Sequence, residues 1–183
     1  MLNKCLKDHI EVANKMDKLL PIIKEASKIC IDSLKNGGKV LLCGNGGSAA
    51  DAQHIAAELS GRFKKERISL AGIALTTDTS ALTAIGNDYG YEFVFSRQLE
   101  GIGRSGDILI AISTSGNSEN VLKAMQSAKK MGIKIITLTG KTGGEMAQKG
   151  DINIVIPSSD TPRIQEMHIM VGHMICAMID EEF

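Results

Sequence analysis

Five short apolar runs recur along this 183-residue chain: 39-KVLLCG-44, 68-ISLAGIALT-76, 107-DILIAIST-114, 134-KIITLTG-140 and 152-INIVIP-157. They are nearly continuous rather than alternating, as expected of parallel strands covered on both faces. Each is followed by a helical spacing of apolar residues: after the GGS loop, through Leu99, from Glu119 to Met131, near Gly144 to Gln148, and from about Pro162 to Glu181. That order predicts an α/β sandwich around about five parallel strands. Ahead of it, Leu6, Ile10, Met16, Leu19, Leu20, Ile23, Ile29, Cys30 and Leu34 recur three, four or seven apart, so helix is expected from about Leu2 to Asn36. Pro21 would kink this segment or split it, and Asn36-Gly37-Gly38 would end it. The reading is a single domain, 1–183, with an N-terminal helical segment (1–36) before an α/β core (37–183). The first segment carries more apolar surface than one strand can bury. Left exposed, Leu6, Ile10, Leu19, Leu20, Ile23 and Ile29 would form a patch that self-association through helix packing would cover.

Composition narrows the function. With 21 basic and 21 acidic residues the formal net charge is zero, so no global field recruits nucleic acid or an anionic membrane, and any anion site must be local. Aromatics are 3% of the chain and tryptophan is absent, which argues against a stacking platform for single-stranded nucleic acid. Four scattered cysteines lack metal-finger spacing and fit reduced thiols in a cytoplasm. The N-terminal stretch is too polar for a signal peptide and no apolar run approaches a membrane span, so a soluble intracellular protein is expected.

In open parallel sheets ligands bind at the carboxyl ends of the strands, which directs attention to 44-GNGGS-48, 113-STSGNS-118 and 139-TGKTGG-144. In the first loop Gly44, Gly46 and Gly47 permit close backbone approach, and Asn45 and Ser48 offer polar groups where a helix begins. It reads either as a tight strand–helix turn or as an anion seat at a helix N-terminus. It is neither a Walker A loop nor a full dinucleotide fingerprint. The second loop sets Ser113, Thr114, Ser115 and Ser118 beside Gly116, a hydroxyl density suited to a phosphate or a sugar, although serine and threonine are also ordinary caps. Lys141 in the third loop reads equally as a solvated lysine. Asp51, His54 and Glu58 follow the first loop directly. His54 and Glu58, four apart, share a helix face, either as a surface hydrogen bond or as part of a site. The alanines around them make a slim, closely packed helix on which such side chains need partners. The last helix offers Gln165 and His173, with Glu166 and His168 on neighbouring faces. Histidine, carboxylate and a glutamine oxygen would form an acceptable zinc site with an open position. Gln165 and His173 are about 12 Å apart along an ideal helix, so they could share an ion only by converging from either side.

Through GNGGSAADAQHIAAELSGRF, ISTSGNSENV and TPRIQEMHIMVGHMI the chain resembles, over essentially its whole length, the sedoheptulose 7-phosphate (phosphoheptose) isomerases of the sugar-isomerase (SIS) domain superfamily. The resemblance implies a three-layer sandwich with a five-stranded parallel sheet, a homotetramer formed through N-terminal helices, one Zn2+ per subunit, and synthesis of D-glycero-D-manno-heptose 7-phosphate for lipopolysaccharide or capsule. It places zinc ligands on His54, Glu58, Gln165 and His173. Substrate contacts fall on Asn45, Gly46, Gly47, Glu58, Asn87, Asp88, Ser113, Thr114, Ser115, Ser118 and Gln165, with Arg62, Asp160, Thr161 and Arg163 as weaker candidates. Moving a proton between C1 and C2 of a sugar phosphate needs a base and an acid, for which Glu58 and His173 are the candidates. Two other readings are a SIS-domain regulator of replication initiation, which would not need the acid–base pair, and a phosphosugar-sensing transcription factor, which would need a DNA-binding segment.

Overall fold

The computed structural model describes all 183 residues. Five parallel strands, β1 (Val40–Cys43), β2 (Gly72–Ala74), β3 (Ile108–Ser113), β4 (Lys134–Thr139) and β5 (Ile152–Val155), form one sheet in the order β2-β1-β3-β4-β5. Seven helices surround it: α1 (Leu2–Ala13), α2 (Leu20–Lys35), α3 (Gly47–Ser60), α4 (Thr79–Tyr89), α5 (Ser96–Ile102), α6 (Glu119–Lys130) and α7 (Thr161–Asp180). Because successive strand side chains point to opposite faces, Val40, Leu42, Ile110 and Ile112 enter one core with α2, α3 and α7. Leu41, Cys43, Leu109 and Ala111 enter the other with Phe95, α5 and α6. Both faces are apolar and covered, which is why the strand sequences read as unbroken runs.

Boundaries differ from the sequence reading where polar anchors intervene. The run 68–76 contributes only three strand residues, because Leu70 N–H bonds the Leu59 carbonyl and Ser69 Oγ bonds the Ser60 carbonyl, tying the segment to the end of α3 instead. The segment expected near Gly144 to Gln148 is a single 3-10 turn, Met146–Gln148. The N-terminal helical pattern is split by another such turn at Met16–Leu19, with Pro21 in the first turn of α2, where its missing N–H costs nothing. The expected apolar patch is corrected: Ile23 is buried, and Leu19 and Ile29 pack against the core. Only Leu6, Ile10 and Leu20 of the expected patch are exposed. Burial followed α2's contact with the sheet and α7, a partner that periodicity alone does not identify.

Candidate functional site

The strand order reverses between β1 and β3, so the loops leaving these two strands diverge and open a crevice. Asn45 and Asn120 span it as a reciprocal amide pair, with Nδ2 to Oδ1 distances of 2.9 and 2.8 Å. The Asn45 side chain is thus engaged within the protein, and Tyr91 Oη reaches the same oxygen at 3.5 Å. Gly46, at φ +57°, turns the chain into α3, leaving Gly46 and Gly47 exposed at the crevice while Ser48 is buried in the first helical turn.

On the β3 side, Ser113 Oγ lies 2.8 Å from Ser118 Oγ and 3.4 Å from Ser115 Oγ. Ser118 occupies the N-cap of α6, but its side-chain oxygen accepts no cap hydrogen bond from the helix. Three hydroxyls therefore converge at the N-terminus of a 12-residue helix whose first N–H groups and dipole favour an anion. The half-buried Thr114 stands between them. The third loop braces the second: a Cβ on Gly116 would fall 2.0 Å from the Gly143 carbonyl, and Glu145 N–H bonds Asn117 Oδ1. Lys141 is exposed, at φ +57°, with only its N–H engaged, to the Ser158 carbonyl.

Between α3 and α7 the structure brings together three of the proposed metal ligands. His54 Nε2 is 3.0 Å from Glu58 Oε1 and 3.3 Å from His173 Nε2, and one ligand atom from each lies within 4.8 Å of the others. The helices approach closely because Gly172 has no side chain; a Cβ there would meet Ile55 at 2.5 Å. Burial, then the neighbouring His54, holds the His173 imidazole below its usual pKa and favours the neutral, ligating form, with Glu58 opposing. Two imidazole nitrogens and a carboxylate oxygen at these distances suit a divalent cation of the zinc type. Gln165 lies farther back along α7, its amide against Gly47, where a Cβ would come within 2.4 Å of Nε2.

The other candidates are dispersed. Asn87 and Asp88, bonded to one another, end α4, which has no buried residue. Arg62 is exposed. Asp160 and Thr161 are exposed at the start of α7, while Arg163 is spent on Glu166 and the Cys5 carbonyl. Glu166 pairs with His9, which fastens α1 to α7. His168 is buried, its Nε2–H donates to the Thr139 carbonyl, and burial pushes its pKa down to about 4. Asp51 stays outside the trio, with one carboxyl oxygen buried and unpartnered and a pKa pushed up to about 6 by burial against the opposing effect of His54. A surface cleft lies elsewhere, between α2 and the end of α7, lined by Pro21, Lys24, Ile31 and Met178; the trio itself opens to solvent. Sequence reasoning missed Phe63, whose ring stacks on His173 at 5.2 Å between centroids. Its only signal was the adjacency to the helix bearing Glu58.

The sequence model of the SIS domain family matches residues 7–140. A phosphoheptose isomerase from a Nitratiruptor species is 63% identical over 183 residues, covering 100% of this chain and 98% of the relative. The structure of phosphoheptose isomerase from Neisseria gonorrhoeae superposes with a TM-score of 0.94 at 46% identity, covering 98% of this chain and 97% of that one. For a phosphoheptose isomerase from Francisella tularensis the values are 0.95 and 39%, with 98% and 96% covered.

Proposed function

The chain belongs to the phosphoheptose isomerases of the SIS domain family, and from that premise we propose that it interconverts sedoheptulose 7-phosphate and D-glycero-D-manno-heptose 7-phosphate. The observation that carries the proposal is the convergence of His54, Glu58 and His173 in a chain that also carries a phosphate-type loop and is so similar to enzymes of that name. A regulator needs the loop but not the trio.

The reaction removes a proton from C1, next to the C2 carbonyl, and returns one to C2 through an enediol. Ser113, Ser115 and Ser118, with the N-terminus of α6, hold the phosphate, and the backbone of Gly46 and Gly47 lines the other wall of the crevice. Glu58 takes the C1 proton and delivers it to C2, while His173 gives a proton to the C2 carbonyl oxygen and takes one back from the C1 hydroxyl as that becomes the aldehyde. His54, Glu58, His173 and Gln165 would hold one Zn2+ per subunit, which when bound polarises the substrate oxygens. Phe63, packed on His173, excludes water from one side of the site.

The assembly we infer is a homotetramer. Its support is the exposure of Leu6 and Ile10 on α1, of Leu20 at the start of α2, of Tyr89 at the end of α4 and of Tyr91 in the turn after it. Docking of α4 on another copy would bring Asn87 and Asp88 to a shared site and close the open trio. We further assign the product to heptose supply for lipopolysaccharide or capsule, made in the cytoplasm; no helix is long and apolar enough to cross a membrane. Incubating the purified protein with sedoheptulose 7-phosphate and following the products by NMR tests the proposal. Appearance of the aldose phosphate is expected, and an unchanged ketose in metal-replete protein would overturn it.

A further inference from the structure

Behind the trio lies a buried ion pair that touches no substrate. Arg67 has a fully buried side chain, Asp180 is nearly so, and Arg67 Nε donates to Asp180 Oδ1 at 2.8 Å. The same guanidinium caps α3: Nη2 donates to the Glu58 carbonyl at 2.7 Å and Nη1 to the Leu59 carbonyl at 3.0 Å. These are among the last carbonyls of the helix, which have no partner within it, and a cation there also complements the helix dipole. Asp180, in the last turn of α7, uses its other oxygen to accept the N–H groups of Lys64 and Lys65 at 2.8 and 2.9 Å. Those two residues directly follow Phe63, whose ring stacks on His173. One buried pair thus joins the residue carrying the carboxylate, the helix carrying His173, and the loop carrying the ring against it.

We propose that Arg67 and Asp180 are positioning residues for Glu58 and His173, acting through the α3 C-terminus and Phe63. The inference rests on the isomerase reading for its kinetic consequence but not for its structural one. Lysine at position 67 keeps the charge but cannot reach Asp180 and two carbonyls at once, because its ammonium is a point rather than a fork. Outer partners of ligating side chains typically contribute about 10- to 100-fold in activity or metal affinity.

The test compares Arg67→Lys, Asp180→Asn and the double variant, with Phe63→Leu as a variant that leaves the buried pair intact. All are assayed well below their melting temperatures, as turnover of sedoheptulose 7-phosphate and as histidine ring signals by NMR. The chain has four histidines, so His9 and His168 serve as internal references. We expect kcat to fall by about 10-fold or more in both single variants with KM within about twofold, and the double variant to be no worse than the poorer single, since the two residues act as one unit. Phe63→Leu should lower kcat in the same manner. The His54 and His173 signals should move while those of His9 and His168 stay. Wild-type kcat in folded but less stable variants, with all four signals unmoved, would reduce the pair to a stabilising one and overturn the proposal. If the wild-type protein fails to isomerise this substrate, the isomerase reading falls, and the histidine signals still decide whether the pair sets the geometry of the trio.

Discussion

Replacing Gly47 by alanine separates the contribution of Gln165 from that of the fold. Gly47 is the first residue of α3 and does not have the positive φ that would strain an alanine. Its helix propensity is lower than alanine's, by up to about 1 kcal/mol in a helix interior and less at the first turn. On stability the change is therefore neutral or slightly favourable. The added Cβ, however, would stand 2.4 Å from Gln165 Nε2 and 2.9 Å from its Cδ. Ordinary contact begins about 1 Å farther out, and a displacement of about 1 Å in a reacting assembly can cost about a hundredfold in rate. The obstructing atoms are the far end of a flexible side chain, so the amide swings away and the backbone stays. We expect kcat/KM for sedoheptulose 7-phosphate to fall by about a hundredfold with the melting temperature unchanged or raised. Gln165→Ala should produce a similar loss, and the double variant little more. An active Gly47→Ala protein, or a loss in Gly47→Ala that Gln165→Ala does not share, would refute the reasoning. The first result would mean that Gln165 is not used, the second that the loop backbone carried the effect.

Glu58→Gln and His173→Gln should each lower turnover by at least about a hundredfold while circular dichroism stays native; near-normal rates in both would remove them from the proton transfer. Elemental analysis should find about one zinc per subunit, as expected of two imidazoles and a carboxylate, and full activity in metal-free protein after chelation would exclude a catalytic ion. Light scattering should report four times the 19.6 kDa chain mass, with Leu6→Asp or Ile10→Asp shifting it downward; a fully active monomer would end both the tetramer and the shared site. Burial opposes ionisation of Asp180, but the N–H groups of Lys65 and Lys64 and the Arg67 guanidinium prevail and hold its carboxyl below the usual range. Its stabilisation is therefore complete above the unfolded carboxylate value of about 3.9 and disappears as pH falls through the lower folded value. Asp180→Asn should flatten the acid limb of a stability–pH curve, and an unaltered limb would contradict the assignment.

The sheet was legible because its strands are covered on both faces. Val40 to Cys43 and Ile108 to Ser113 need apolar side chains in both directions, and their shortness and flanking glycines set such runs apart from buried helix. The trio was legible only in part. His54 and Glu58 announce each other by helical spacing, but their meeting with His173 depends on Gly172 letting α7 approach Ile55, and a lone glycine in a helix carries no such message. The resemblance supplied that pairing where periodicity could not. Arg67 and Asp180 were invisible for a related reason: each is an ordinary charged residue near an element's end, and only the packed fold shows that the two meet without solvent. The Asn45–Asn120 pair across the crevice was equally invisible, because nothing in the sequence links two asparagines 75 residues apart.

The route by which the chain is made adds a consequence to the α3–α7 contact. His54 waits for a partner 119 residues downstream, and Arg67 for one 113 residues downstream. A ribosome emitting about 5 to 20 residues per second releases β5 about 1 to 5 s, and the serine loop about 3 to 12 s, before the last residue of α7. Throughout that interval the nascent chain has its phosphate-type loop but only two of the converging ligands and an uncapped α3. Catalytic competence therefore arrives last, in the same step that buries Arg67. A product cut short before residue 161 would have no His173 to complete the trio and no α7 to cover α3 and pair with Arg67, so quality control would meet an uncovered apolar core face rather than a defective but stable enzyme.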